Sequence, residues 1–320
     1  SARTQPRPVS QALGHSKSIS YPANAGVSAE SVGVVSVRAS EVTMRPVNWL
    51  WKGKLACGKI SMIQGDPGLG KSMLTASLAA IVTTGGMWPV TRDRSPVGSV
   101  LILSAEDDPE DTLVPRLDAA GADLSRVHIM QAIKTVNERD EAVTRGFDLS
   151  QDVSRLIIKM REIGDVRLVS LDPVLAFVGQ TKDSHKTSDV RGILAPLSVA
   201  AYECGASIVL VNHLNKSTGQ SAINRGQGSN AWAAAARAVF SVISDKEDER
   251  KRYFATTKNN LGADGADTNL SYRIETYALD HNPDIVTARI MWDAAPVTQT
   301  ASELFAQNDV GNVEKNDMTE

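Results

Sequence analysis

The sequence has few cysteines, no excess of positive charge and no long hydrophobic run, and each shortage excludes a class of protein. Two cysteines in 320 residues, Cys57 and Cys204, cannot supply a disulfide framework, which fits a reducing cytoplasm. The formal net charge is -3, so any binding of nucleic acid must come from local loops rather than from an overall positive field. No stretch approaches the roughly 20 apolar residues of a membrane-spanning helix. These patterns predict a cytoplasmic protein without a membrane partner.

Composition divides the chain into three parts. Residues 1–40 are rich in Ser, Ala, Pro and Gly, which predicts a flexible leader or linker, or equally the end of an upstream domain. Residues 41–298 carry the hydrophobic periodicity of a folded domain. Residues 299–320 are polar, and we expect them to form a mobile C-terminal tail.

Short apolar segments alternate with amphipathic segments in the first part of the folded domain. The apolar segments predict buried strands, and segments with apolar residues three and four apart predict helices. Such alternation is typical of right-handed βαβ units around a parallel sheet. Strands are predicted at 59–64, 99–104, 166–171 and 207–211, and helices from 70 onward and at 108–120, 150–163 and 188–204.

The pattern changes after about residue 237. Consecutive strands are predicted there, and the turn-forming pairs within 259–262 and 264–265 would join them into an antiparallel sheet. The predicted fold is therefore α/β, with a mostly parallel twisted sheet flanked by helices and antiparallel strands at its C-terminal side. These later strands are predicted at 239–242, 252–258, 270–276 and 286–292.

One glycine-rich segment carries the strongest chemical signal. It follows a predicted strand, opens a predicted helix and matches the phosphate-binding pattern G-x-x-x-x-G-K-S/T, which is called a P-loop. Glycines let backbone N–H groups curl around a β-phosphate, Lys71 adds positive charge, and Ser72 offers a hydroxyl to Mg²⁺. ATP and Mg²⁺ are therefore the expected cofactors. The segment is Gly65-Asp66-Pro67-Gly68-Leu69-Gly70-Lys71-Ser72.

Acidic residues follow two of the predicted parallel strands, at the edge where ligands bind in such sheets. Asp172 is expected to hold Mg²⁺ through water, although it could instead serve the turn before Pro173. Glu106 is the candidate for the carboxylate that orients and deprotonates the attacking water, and Asp107 could assist at the metal. Asp108 has the pattern of a helix cap. The alternative is that all three acids at 106–108 only cap the next helix.

Two further polar side chains have a chemical and an ordinary interpretation. His213 follows the predicted strand at 207–211, where it could contact the γ-phosphate and report its presence, or be a histidine without that role. Arg237 lies in an apolar, alanine-rich run and needs a partner. It could reach the γ-phosphate of a neighbouring subunit, or end a helix and pair with a local acid.

Two long polar segments, residues 179–186 and 216–228, are expected to be loops above the sheet. Their positive charge would suit the phosphates of a nucleic-acid strand. Neither contains an aromatic residue on which a base could stack, so they could equally be solvated surface loops. The candidate DNA-binding residues are Lys182, Lys186, Lys216 and Arg225.

Several of these segments share their pattern with one known family: Trp49-Leu50-Trp51, Gly58-Lys59-Ile60 before the P-loop, Ser104-Ala105-Glu106-Asp107-Asp108, Asn212-His213-Leu214-Asn215-Lys216, Arg225-Gly226-Gln227-Gly228-Ser229 and Thr257-Lys258-Asn259-Asn260. They resemble the RepA-type hexameric replicative helicases of plasmids and phages, which are RecA-like P-loop NTPases of the AAA type. The resemblance covers roughly residues 45–280. It implies a RecA-like fold and a ring, usually of six subunits, with ATP between neighbours and single-stranded DNA in the central channel.

The resemblance also implies a role for each candidate residue. Lys258 falls where related ring helicases send a second cation across the subunit interface, but this chain lacks their Lys-x-Arg pair, so the trans-acting arginine rests on Arg237. The basic loops fall on the channel loops, and a primase or an initiator protein is an implied partner. The other assignments are Lys71 and Ser72 to the P-loop, Glu106 to the catalytic acid, Asp172 to the second metal-site acid and His213 to the γ-phosphate sensor.

Two functions remain open at the level of sequence. One is an ATP-hydrolysing ring motor on single-stranded DNA, the replicative helicase of a plasmid, phage or mobile element. The other is a RecA-like ATPase switch that forms a ring and regulates a protein partner without unwinding DNA. Contact between the two basic loops and DNA would distinguish them. A small-molecule kinase would need a lid and an acceptor site, and neither is apparent.

Overall fold

The computed structural model describes residues 36–136, 141–179, 187–213, 230–262 and 269–307. Residue contacts divide the chain into two units, residues 1–45 and residues 46–320. In the described part of the first unit, Ala39–Glu41 forms a single 3₁₀ turn without buried residues. The elements that follow all belong to the second unit.

From Trp49 to Ala235, α-helices are interspersed with single strands and with two runs of three consecutive strands. The strands are β1 (Trp49–Trp51), β2 (Leu55–Ala56), β3 (Ile60–Gly65), β4 (Ser99–Ser104), β5 (Val127–Ile129), β6 (Ile133–Val136), β7 (Ala142–Arg145), β8 (Val166–Asp172) and β9 (Ser207–His213). The helices are α1 (Lys71–Thr84), α2 (Val114–Ala119), α3 (Val153–Ile163), α4 (Thr187–Cys204) and α5 (Asn230–Ala235). Four strands follow, β10 (Ala238–Ser244), β11 (Lys251–Asn259), β12 (Leu270–Leu279) and β13 (Asn282–Trp292), and then helix α6 at 301–307.

Nine strands of the described chain form one sheet, in the order β13-β12-β11-β10-β3-β9-β8-β4-β5. The six strands from β10 to β5 in this order run parallel. Strands β11, β12 and β13 are each antiparallel to their neighbours. The predicted fold class is therefore confirmed, and the arrangement is that of a RecA-like P-loop fold.

A hydrophobic layer covers each face of the sheet. Because side chains alternate along a strand, β3 contributes Ile63 to the layer that contains α1 and α2 and Met62 to the layer that contains α3, α4 and α5. Strands buried on both faces read as continuous apolar runs, which is why the pattern predicted them well. None of the helices in the described ranges is both long and apolar enough to cross a membrane.

Helix α1 begins where the P-loop ends. Its first residue follows Gly70 and its last turn is closed by Gly85, and both glycines have a left-handed backbone with φ of 79° and 64°. Most of its length is buried, including Leu74 and Leu78. The helix is thus held in the core, and it presents its N-terminus at the edge of the sheet.

The helix predicted at 108–120 differs in the structure. Residues Pro109–Leu113 form a π-helical turn and only Val114–Ala119 is α-helical. Pro115 has no N–H group, so the hydrogen bonds of a continuous α-helix cannot pass through it. Asp108 caps this turn as predicted, since its carboxylate accepts a hydrogen bond of 2.9 Å from the Glu110 N–H.

The folded part of the chain extends beyond residue 298. The sequence places residues 299–320 in a mobile tail, but α6 is helical and Leu304 on it is 1% exposed. Leu304 packs in a small cluster with Ile243 and Tyr253. The apolar residues of this helix, among them Leu304 and Phe305, span less than two turns, which is too short a stretch to establish a helical period.

Candidate functional site

The carboxyl ends of four parallel strands meet at one edge of the sheet. Gly65 on β3 is level with His213 on β9, and Ser104 on β4 is level with Asp172 on β8. The P-loop, Asp172, His213 and the acids that follow Ser104 come from segments far apart in sequence. The parallel register brings all of them to this edge.

Lys71 is the charged centre of the P-loop. Its side chain lies under the loop, since the residue is 3% exposed and Nζ donates hydrogen bonds to the carbonyls of Gly65 at 2.9 Å and Asp66 at 2.8 Å. Burial lowers the pKa of Lys71 to about 8, against the opposing effect of the nearby carboxylates of Asp172, Asp66 and Glu106. A phosphate is the kind of anion that this buried ammonium group would bind.

Asp172 and Ser72 are joined beside the P-loop. Burial raises the pKa of Asp172 to about 6, and the hydrogen bond from the Ser72 hydroxyl opposes this rise. The negative charges of Asp107 and Glu106 raise the pKa of Asp172 further, whereas the charge of Lys71 lowers it. Asp172 itself is 6% exposed, so its carboxylate has few contacts with water.

The Ser72 and Asp172 pair fits a magnesium ion that arrives with a nucleotide. A hydroxyl and a carboxylate are the oxygen ligands that Mg²⁺ prefers, and this ion usually takes its other ligands from water and substrate phosphates. In the described ranges no group of three or more His, Cys, Asp or Glu residues is arranged to hold a metal ion. Ser72 and Asp172 would therefore need water and phosphate oxygens as the other ligands of Mg²⁺. Binding of Mg²⁺ would require Asp172 to be ionised.

Glu106 and His213 face each other across the mouth of this edge. His213 Nε2 lies 3.8 Å from Glu106 Oε2, and the Glu106 side chain is 63% exposed. Burial lowers the pKa of His213, and the charge of Lys71 lowers it further, while Glu106 raises it. His213 Nε2 has no hydrogen-bond partner among the described residues. The pair thus consists of a carboxylate open to water and an imidazole whose pKa lies below its ordinary value and whose buried Nε2 has no described hydrogen-bond partner.

Asp107 has a partner that the sequence did not predict. Its carboxylate forms an ion pair of 2.8 Å with Arg116 on α2, and its N–H donates to Ser104 Oγ at 3.2 Å. These contacts fix the turn that carries Glu106. A role of Asp107 at the metal stays a prediction, and a separation of nine residues from Arg116 gives no periodic signal in the sequence.

Arg237 lies toward the opposite end of the sheet. Its N–H donates to the carbonyl of Ile60 at 2.9 Å, at the start of β3. Since Gly65 ends that strand and a strand rises about 3.3 Å per residue, the two ends are roughly 16 Å apart. The Arg237 side chain is exposed, and no acidic side chain in the described ranges forms an ion pair with it. The described residues therefore contain no acidic partner of the kind that the alternative interpretation, a helix end paired with a local acid, requires for Arg237.

Lys258 is a helix cap in this structure. Its Nζ donates to three carbonyls at the end of α5, those of Ala233, Ala234 and Ala236, at 2.9, 2.8 and 2.9 Å. Burial lowers the pKa of Lys258, and the charge of the neighbouring Arg237 lowers it further. These bonds satisfy carbonyls that a helix leaves without partners at its C-terminus. Its action across an interface stays a prediction.

The four residues predicted to bind DNA lie outside the described residues. Lys182 and Lys186 belong to the segment between Gly179 and Thr187, and Lys216 and Arg225 to the segment between His213 and Asn230. Both segments are joined directly to elements of the site, the first to the turn after β8 and the second to β9.

Comparison with protein families adds an independent observation. The model of the AAA domain matches residues 28–219, more than half of the chain. The chain belongs to the AAA domain family. Membership of this family supports a P-loop ATPase, and the matched range contains the P-loop, Glu106, Asp172 and His213. No curated protein matches the chain.

Proposed function

We propose that this AAA-domain ATPase is a ring motor that hydrolyses ATP on single-stranded DNA, the replicative helicase of a plasmid, phage or mobile element. The observation that carries the ring assembly in this proposal is the position of Arg237. Its exposed side chain lies toward the end of the sheet that is remote from the P-loop of its own chain, and it has no described acidic partner. An arginine in that position can act on a nucleotide only in a neighbouring subunit.

The chemistry of hydrolysis is divided among the other residues of the site. Lys71 and the P-loop backbone would bind the phosphates, while Ser72 and Asp172 would hold Mg²⁺. The exposed Glu106 carboxylate would accept the proton of the attacking water, and His213, whose Nε2 lies 3.8 Å from Glu106 Oε2, would contact the γ-phosphate. Arg237 of a neighbour then stabilises the charge that develops during phosphoryl transfer.

Chain connectivity supports a link between the nucleotide and DNA. His213 is the last described residue before the segment that carries Lys216 and Arg225. A change at His213 on loss of the γ-phosphate would therefore reach a basic segment only a few residues away. With a net charge of -3, the chain has little other means of attracting DNA than such local basic segments.

The proposal is tested by measuring steady-state ATP hydrolysis with and without single-stranded DNA at several salt concentrations. We expect DNA to stimulate hydrolysis, and the stimulation to weaken as salt rises, because phosphate contacts are sensitive to salt. Lys71→Ala should abolish turnover, whereas Lys52→Ala, which changes an exposed lysine on the β1–β2 turn, should not. Strand displacement is then measured under the conditions of strongest stimulation.

Rapid hydrolysis that is indifferent to DNA even at low salt would contradict the motor. It would favour the ATPase switch that acts on a protein partner. Turnover retained by Lys71→Ala would contradict the assignment of the P-loop itself.

A further inference from the structure

Strand β12 contacts the P-loop through a buried tyrosine. Tyr272 is 0% exposed, and its hydroxyl donates a hydrogen bond of 3.2 Å to the carbonyl of Leu69. The Tyr272 ring lies edge-on to Trp292, with ring centroids 5.3 Å apart, and the indole N–H of Trp292 donates to Ser77 Oγ on α1 at 3.0 Å. The β12–β13 hairpin is thus bonded to both the loop and the helix of the nucleotide site.

A second contact lies one residue further along the loop. A Cβ atom on Gly70 would come within 2.6 Å of Ile274 Cδ1 and 3.2 Å of Met73 Cε. The backbone of Gly70 is also left-handed, with φ of 79°, which side chains other than glycine rarely adopt. Strand β12 therefore packs directly against the last turn of the P-loop, and its contact with Leu69 is part of a closely fitted surface.

The geometry of one peptide group links Tyr272 to the phosphates. The carbonyl of Leu69 and the N–H of Gly70 belong to the same planar trans peptide, so they point in opposite directions. A carbonyl that is held toward Tyr272 turns the Gly70 N–H toward the other side of the loop. That is the side on which the backbone N–H groups of a P-loop surround the phosphates.

We propose that Tyr272 is a positioning residue of the nucleotide site, which orients the Gly70 N–H for phosphate by holding the carbonyl of the same peptide. A loop oriented in advance loses less conformational freedom when the nucleotide binds, and affinity rises accordingly. The proposal rests on the nucleotide-binding part of the function proposed above and is independent of its DNA part. It also assigns a function to β12, which lies beyond the range 28–219 that the AAA domain matches.

Tyr272→Phe tests the proposal, because it keeps the buried ring and removes only the hydroxyl. We expect the affinity for MgATP, measured by titration without DNA, to fall about two- to ten-fold, the usual effect of one neutral hydrogen bond. The KM should rise by a similar factor and kcat should stay close to that of the wild type, because bound phosphates hold the loop once the complex has formed.

Tyr253→Phe is the matched control. Tyr253 lies on the adjacent strand β11, is 8% exposed, and donates its hydroxyl to Asp245, away from the P-loop. This variant should lose thermal stability but bind MgATP as the wild type does. Unchanged affinity in Tyr272→Phe, or an equal loss of affinity in both variants, would overturn the proposal.

The titration of MgATP is made without DNA, so its result does not depend on whether the protein is a DNA motor. Hydrolysis that is indifferent to DNA would contradict the motor, whereas the affinities of the two tyrosine variants would still decide the role of Tyr272. Thermal unfolding of each variant identifies the temperature range in which all three proteins are folded. A fall in kcat with unchanged KM in Tyr272→Phe would also contradict positioning of the loop for binding.

Discussion

The two ends of the central sheet present lysines that make similar bonds and differ in their charged neighbours. At the carboxyl end, Lys71 donates to two backbone carbonyls and is surrounded by Asp172, Asp66 and Glu106. Toward the amino end, Lys258 donates to three backbone carbonyls and its charged neighbour is Arg237. Carboxylates favour the charged form of Lys71, whereas the guanidinium group disfavours that of Lys258.

If Arg237 acts in trans as proposed, the chain holds the two halves of a hydrolytic site apart. One end has the P-loop and the acids, and the other has an exposed arginine next to a capped helix. The complete site would then form where these two ends of different subunits meet. Each of the following predictions tests one side of that comparison.

The largest effect is expected at Arg237. Arg237→Ala should leave MgATP binding intact and lower hydrolysis about 10³-fold or more, the range found for arginines that act in trans. When Arg237→Ala and Glu106→Gln subunits are mixed in equal parts, the mixture should hydrolyse ATP faster than either variant alone. At some interfaces a subunit with an intact Glu106 then meets a subunit with an intact Arg237.

Arg250→Ala, which removes another exposed arginine, serves as the control and should hydrolyse ATP as the wild type does. Full activity in Arg237→Ala would remove the basis for the ring motor. No recovery in the mixture would contradict action between subunits.

The pH dependence of kcat/KM examines the carboxyl end of the sheet alone. The free protein needs Asp172 ionised to hold Mg²⁺ and Lys71 charged to bind phosphate, and their pKa values are about 6 and about 8. The rate should therefore be highest between these two values and fall on both sides. The ionisation of MgATP is measured without protein and subtracted. A profile that stays flat through both values would contradict the assigned roles.

The smallest effect is expected at Lys258. Lys258→Ala leaves the carbonyls of Ala233 and Ala234 in α5 and of Ala236 just after it without this donor, so the free energy of unfolding should fall by about 1–2 kcal/mol. Hydrolysis per folded molecule should change little, as measured by denaturant unfolding and an ATPase assay on the same sample. A loss of hydrolysis as large as that of Arg237→Ala, without a loss of stability, would instead establish Lys258 as a second cation across the interface.

The edge of the sheet could be predicted because it follows from periodicity. Apolar runs locate parallel strands, and the residues after them must lie at the same edge, so the sequence predicts the positions of Asp172, Glu106 and His213. The P-loop adds a pattern that is strong by itself. The basic residues of the two loops lie outside the described residues, and their contact with DNA stays a prediction.

The contacts that hold this edge in place could not be predicted. Arg116 pairs with Asp107, and Tyr272 reaches Leu69 across 203 positions of sequence. Such contacts depend on how complete elements pack, and no local pattern of residues encodes them. The same is true of Lys258, since its bonds to α5 require strand β11 and the helix to be in place first.

The position of β10 in the sheet has a consequence for the synthesis of the chain. Strand β3 lies between β9 and β10, so the strand that leads into the P-loop is made early but gains its neighbours only when residues 207–244 have left the ribosome. Until then β3 is an apolar strand whose two edges are unpaired, and such strands promote the aggregation of nascent chains. A fragment that stops at residue 219 would keep one of those edges open permanently. The AAA segment therefore depends on the strands made after it to complete its own fold.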